Sequence, residues 1–134
     1  MAEDNKNFEL KIITPDRTFY EGEAHMVEFN TTEGQIGVYR NHIPMTVIIK
    51  PGVLTITGEE VHKAALHSGF AQILQDKITI LAEVIEWPDE IDKDRAQAAK
   101  DRAEKLIAEH ASSTDIVRAE AALSRATARI NVLK

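Results

Sequence analysis

The chain is 134 residues long, carries a formal net charge of −6 and has no cysteine. That length holds one domain, or one domain with an appendage. The acidic balance argues against nucleic acid, and the missing thiols exclude disulfides, thiol catalysis and sulfur-ligated zinc. Charge is unevenly spread: residues 1–91 carry 7 Lys and Arg against 15 Asp and Glu, and residues 92–134 carry 9 against 7. Two such halves fit different partners, and fit ordinary solvated surface equally well. The opening residues Met1 to Lys6 are polar and lack the apolar run of a signal peptide. No stretch approaches the ~20 apolar residues that span a bilayer. The expectation is a soluble, cytosolic chain unless a partner holds it at a membrane.

Residues 8–86 read as short strands. Phe8, Leu10 and Ile12 alternate with Glu9 and Lys11, and His25, Val27 and Phe29 alternate with Met26, Glu28 and Asn30. Val53–Thr57, Val61–Leu66, Phe70–Leu74 and Ile78–Val84 are further apolar runs. Turn residues separate them at Thr14-Pro15-Asp16, Glu33-Gly34, Asn41 to Pro44, Pro51-Gly52, Gly58, Ser68-Gly69 and Gln75-Asp76-Lys77. This spacing predicts an antiparallel sandwich or flattened barrel.

Trp87-Pro88 ends the strand region, and Asp92 stands where a helix N-cap is expected. From residue 92 onward there is no Gly or Pro, and 11 of the 43 positions are Ala. The pattern predicts one helix over about 92–110 and a second over about 115–132. Ala111 to Thr114 forms the break, with Ser113 or Thr114 capping the second helix. Ile116, Ala119, Leu123, Ala126, Ile130 and Leu133 make a heptad seam on that helix, and Ala96, Ala99, Ala103 and Leu106 one on the first. The fold class is therefore α+β: an antiparallel β-sandwich over 1–88 followed by an antiparallel two-helix hairpin over 89–134. Alanine seams bury little, and helices this short are marginal alone. The hairpin is expected to lean on the β body or on a partner; the pattern fits a hairpin that detaches and equally one that stays docked.

No P-loop, H-E-x-x-H or G-x-S-x-G motif occurs. The five histidines show no metal-ligand spacing, and no carboxylate pair is nominated for acid–base work. Basic residues form the one constellation of note. Arg95 and Arg102 share a face of the first helix, and Arg118, Arg125 and Arg129 share one of the second. If the hairpin closes, Arg95, Arg102, Arg125 and Arg129 can converge, and guanidinium groups suit phosphate. The same residues also fit a solvated face paired with Asp101, Glu104 and Glu120.

Several runs, in this order and spacing, resemble the epsilon subunit family of the F-type ATP synthase. They are Leu10 to Arg17, Tyr20-Glu21-Gly22-Glu23, Thr32 to Val38, His42-Ile43-Pro44, Ile49 to Leu54, Gly69-Phe70-Ala71 and Ile80 to Glu83. The resemblance implies a sandwich of about ten strands, two helices and no active site of its own. It implies a rotor subunit of the central stalk that grips the gamma subunit and sits on the c-subunit ring. The hairpin would regulate: folded on the sandwich, or extended along gamma to the beta and alpha subunits, where it blocks ATP hydrolysis.

The family's nucleotide motif is matched by Ile91-Asp92-Lys93-Asp94-Arg95-Ala96. Glu86, Arg102, Arg125 and Arg129 match the remaining positions of the ATP site found in some members. The resemblance thus implies ATP as a regulatory ligand, with no required cofactor and no metal. It also implies that the loops carrying Glu33, Gln35 and His42 face the c ring. Two departures stand out: Ser68-Gly69-Phe70 where members often have Gly-Gly-Phe, and Gln35 where a carboxylate often stands, which puts an ionic contact there in doubt. The implied location is the cytoplasmic face of a bacterial cell membrane, reached only through the complex. The competing class is a free-standing nucleotide-sensing or scaffold protein with the same fold; a small enzyme comes third, lacking a catalytic group.

Overall fold

A computed structural model describes residues 6–109 and 112–134. Among the described residues eight strands are followed by two α-helices: β1 (Phe8–Ile13), β2 (Thr18–Ala24), β3 (Met26–Thr31), β4 (Gly34–Tyr39), β5 (Met45–Ile49), β6 (Gly52–Thr57), β7 (Val61–Ile73), β8 (Lys77–Glu86), α1 (Lys93–Ala108) and α2 (Ser113–Val132). The implied count of about ten strands becomes eight, for a physical reason. β7 and β8 run unbroken through bulges, where the register shifts between Leu66 and Ser68 and again between Ser68 and Gly69. The first part of β7 pairs with β6 and the second part with β5. One long strand therefore serves both layers, where the sequence read Ser68-Gly69 as a turn between two strands. Bulges bend a strand in this way without ending it. One pairing also departs from the antiparallel expectation, since β1 lies parallel to β8.

The departure at Ser68 does not fall on a strained position. The left-handed backbone is at Gly69, with φ 143°. A Cβ there would overlap the carbonyl oxygen of Leu81, so only glycine fits.

Alternation fills the core. Phe8, Leu10, Ile12, Val27, Phe29, Leu54, Ile56, Leu66, Ile73, Ile78 and Ile80 are all buried in one apolar cluster between the layers. Trp87 packs against this cluster at its edge, stacked on Phe19 with ring centroids 4.2 Å apart. Pro88–Glu90 forms a single 3-10 turn, and Asp92 then caps α1, its Oδ1 accepting from Arg95 N–H at 3.1 Å.

Ser112, not Ser113 or Thr114, caps α2, accepting from Asp115 N–H at 3.3 Å. The first helix closes at Ala108, with Glu109 its C-cap. Of the expected break at 111–114, position 111 lies outside the described residues, and Ser113 and Thr114 already belong to α2, because the cap falls on Ser112. The hairpin is folded onto the sandwich, α1 against α2 and α2 against β6 and β7. Of the expected seam on α2, Ala119 and Ala126 are buried. Ala128 and Val132 are buried too, although they lie off that seam. They form a second stripe, which a helix packed on two neighbours requires.

Candidate functional site

The arginines fall into two groups. Arg102 from α1 and Arg118 and Arg125 from α2 line one cleft of about 540 Å³ in the groove of the hairpin, floored by Ala99, Ala103, Ala119 and Ala122. Alanines make this groove, because small side chains on both helices leave room between the arginine stems. Asp115 is the one carboxylate on its wall. Among the described residues no ion pair joins these three arginines to Asp101, Glu104 or Glu120. Asp101 instead accepts from Gln97 Nε2 at 3.1 Å. Three guanidinium groups facing one carboxylate leave a cationic cleft suited to an anion.

Arg129 goes elsewhere. Its Nε donates to Glu86 Oε1 at 2.7 Å, and His67 Nε2 lies 2.9 Å from the same oxygen. This ties α2 to the middle of β7 and to the end of β8. Burial alone would raise the Glu86 carboxyl, but the hydrogen bonds from Arg129 and His67 outweigh it and hold it below its ordinary 4.5. Burial pushes His67 below its ordinary 6.5; Glu86 opposes that shift, and Arg129 and Arg125 add to it. His67 is thus neutral at pH 7 and donates from Nε2, while its Nδ1 is buried without a hydrogen-bond partner.

Of the residues expected at a nucleotide site, Arg102 and Arg125 share the cleft. Arg95 is exposed at the start of α1, which antiparallel pairing sets level with the last turns of α2. Asp92 spends a carboxylate oxygen on the helix cap. Ile91 is half-buried, its N–H donating to Pro88 O at 3.2 Å. Glu86 and Arg129 are joined to each other. Sequence reasoning missed His67 as a partner of this group. Its place in a bulge under α2 leaves no mark in the linear pattern.

The loop residues separate as well. Glu33 sits in the β3–β4 turn, which is closed by Thr31 Oγ1 donating to Gly34 O at 2.7 Å and accepting from Glu33 N–H at 3.1 Å. Gln35 is the second residue of β4 and shares a polar cleft with Ser124, Thr127 and Asn131 of α2. His42 lies beyond the far end of β4, its Nδ1 2.8 Å from Ile43 O.

A further feature lies on the other layer. Registers align Ile48 with Phe70, Phe70 with Leu81, and Leu81 with Ile13, so four apolar side chains cross β5, β7, β8 and β1 in one row. Ile48 is 62%, Phe70 45% and Leu81 38% exposed. A contiguous apolar row left in water marks a protein-binding face.

A β-sandwich carrying a folded two-helix appendage, with a cationic cleft and an open apolar row, defines a small two-part binding subunit. The family models that match are those described as the ATP synthase delta/epsilon chain beta-sandwich domain, over residues 7–88, and the ATP synthase delta/epsilon chain long alpha-helix domain, over residues 89–134. The chain belongs to the ATP synthase delta/epsilon chain family. It is 44% identical over 130 residues to the ATP synthase epsilon chain of Caldanaerobacter subterraneus subsp. tengcongensis, covering 96% of this chain and 94% of that one. It is 43% identical over 131 residues to that of Clostridium novyi, covering 96% and 98%. A chain in the Euglena gracilis mitochondrial ATP synthase shares the fold at a TM-score of 0.85 and 18% identity, over 99% of this chain and 85% of that one.

Proposed function

We propose that this chain is the epsilon subunit of a bacterial F-type ATP synthase, joining the gamma subunit to the c-subunit ring in the rotor and catalysing nothing itself. The observation that carries the reading is the apolar row Ile13, Leu81, Phe70 and Ile48. It lies on the layer away from the hairpin, so gamma can hold the sandwich while the hairpin moves. Among the described residues no helix is long and apolar enough to cross a membrane; the chain reaches the cytoplasmic face of the membrane through its complex. The test is co-purification with gamma. Phe70→Asp and Leu81→Lys should each abolish capture while leaving the melting temperature within a few degrees; capture unchanged by both would defeat the assignment of that face.

The regulatory part of the reading rests on the hairpin interface. Ser124, Thr127, Ala128 and Asn131 meet Asn30, Gln35, Gly52 and Val53 across a cleft of about 490 Å³, a polar and loosely filled contact suited to release. Extended, the hairpin would reach the beta and alpha subunits and block hydrolysis. ATP is its regulatory ligand in this reading, with the phosphates on Arg102 and Arg125 and with Arg95, Asp92 and Ile91 at the open end. Arg118 lines the same cleft and adds a third cation to it.

A further inference from the structure

Away from the arginine cleft and the apolar row, His67, Glu86 and Arg129 join the hairpin to the sandwich under α2. β7 alternates at this point. Ala64 and Leu66 point into the core cluster, whereas Ala65 and His67 lie outside it and are buried all the same. Beyond the sandwich core α2 packs on β7, as does, to a smaller extent, the 3-10 turn at Pro88–Glu90. His67 is the extra residue of the bulge, opposed by no residue of β8, where register passes from Leu66–Ile85 to Ser68–Val84. Bulges re-aim side chains, and this one aims an imidazole at Glu86.

We propose that His67, Glu86 and Arg129 form a proton-sensitive latch: neutral His67 holds the hairpin docked, and protonation of His67 releases it. The inference rests on the reading that the hairpin undocks, and it adds the signal that drives undocking.

The charges settle the direction. β8 contributes the Glu86 carboxylate, which accepts from both His67 and Arg129 at one oxygen. α2 contributes two cations, Arg129 and Arg125, both acting against a charge on His67. β6, the other strand beside this part of β7, has no ionisable side chain between Gly52 and Thr57. In the docked form an imidazolium would be dry, beside a guanidinium, and in competition with Arg129 for one carboxylate oxygen. In the undocked form Arg125 and Arg129 leave with α2, water reaches the ring, and Glu86 stays as its partner. The undocked form therefore binds the proton more tightly. Docking is fully supported above the undocked pKa and loses that support as pH falls through it toward the docked value, which burial and the two arginines hold low. A cytosol that acidifies would release the hairpin.

The chain has no cysteine, so a pair introduced at exposed positions, Glu59→Cys and Glu120→Cys, can carry two labels on the full-length protein. Their separation is measured from pH 7.5 to 5.5. The expected result is a short separation at pH 7.5 and a rising undocked-to-docked ratio on acidification, at most about tenfold per pH unit for one proton. His67→Gln retains a donor toward Glu86, cannot become charged and leaves four other histidines in place. It should flatten the profile. A wild-type profile that is flat, an unchanged slope in His67→Gln, or a hairpin undocked throughout would each overturn the proposal. Should His67→Gln fail to fold, the His67 imidazole resonance decides: it must titrate in step with the label separation, and titration apart from it overturns the latch. These measurements read docking alone. Inhibition is read by hydrolysis assays of the assembled complex, so either idea can fail without the other.

Discussion

Arg17 reaches across 73 residues of sequence to Glu90, its Nη2 donating to Oε2 at 2.9 Å and to Oε1 at 3.0 Å. The same Glu90 oxygen Oε1 accepts from Trp87 N–H at 2.8 Å. Arg17 also lies over the Phe19 ring at 5.0 Å, and Phe19 stacks on Trp87. The segment that leaves the sandwich is thus held to it as far as Glu90. An exposed ion pair alone contributes about 1 kcal/mol or less; the aromatic stack carries more. In the proposed release of the hairpin the pivot is at Ile91 and Asp92, which are both extended.

A chain ending at Glu90 should accordingly fold and still capture gamma. Trp87 is the only tryptophan, so its fluorescence reports the stack directly. Trp87→Ala should destabilise the sandwich by about 2–3 kcal/mol, below the value for a fully buried ring, as measured by urea unfolding. An unfolded 1–90 chain would show that the sandwich needs the hairpin.

Gly69→Ala tests the bend that lets β7 serve both layers. It combines a left-handed backbone with overlap against the Leu81 carbonyl. The expected loss is about 2 kcal/mol or more. Ser68→Gly, restoring the residue the family often has, should change stability by less than about 1 kcal/mol.

Glu86→Gln removes the anion that Arg129 and His67 share. Docking should weaken by about 1–2 kcal/mol, seen as faster amide exchange over the last turns of α2 with β1–β6 unaffected. Because the Glu86 pKa is lowered in the fold, its contribution is present above the ordinary 4.5 and lost as pH falls through the lowered value. Wild type should show a second loss of α2 protection below pH 4.5, and Glu86→Gln should not.

Millimolar ATP should raise the melting temperature of the full chain and slow exchange over α1 and α2. Arg102→Ala and Arg125→Ala should each weaken that effect about tenfold or more, the loss of one charge-assisted hydrogen bond. An effect retained in both variants would move the nucleotide away from the cleft. ATP that changes neither melting nor exchange would leave the cleft to another anionic partner.

Deleting residues 92–134 from the complex should raise ATP hydrolysis with assembly intact. Equal rates with and without the hairpin would remove its inhibitory role while leaving the rotor subunit in place.

By itself the sequence determined the order of the parts and the local chemistry. Strand alternation such as Phe8, Leu10 and Ile12, the Asp92 cap and the alanine seams depend on neighbours a few residues away, and short-range periodicity records them. The arginine faces were legible for the same reason. Only the tertiary structure decided where those faces point. Whether Ser68-Gly69 turns or bends depends on the Leu81 carbonyl beside it. Whether Arg129 joins Arg102 and Arg125 depends on Glu86, 43 residues earlier. His67 becomes a buried partner only because α2 lies over a bulge in β7, and no periodic pattern encodes a contact between elements that meet after both have formed.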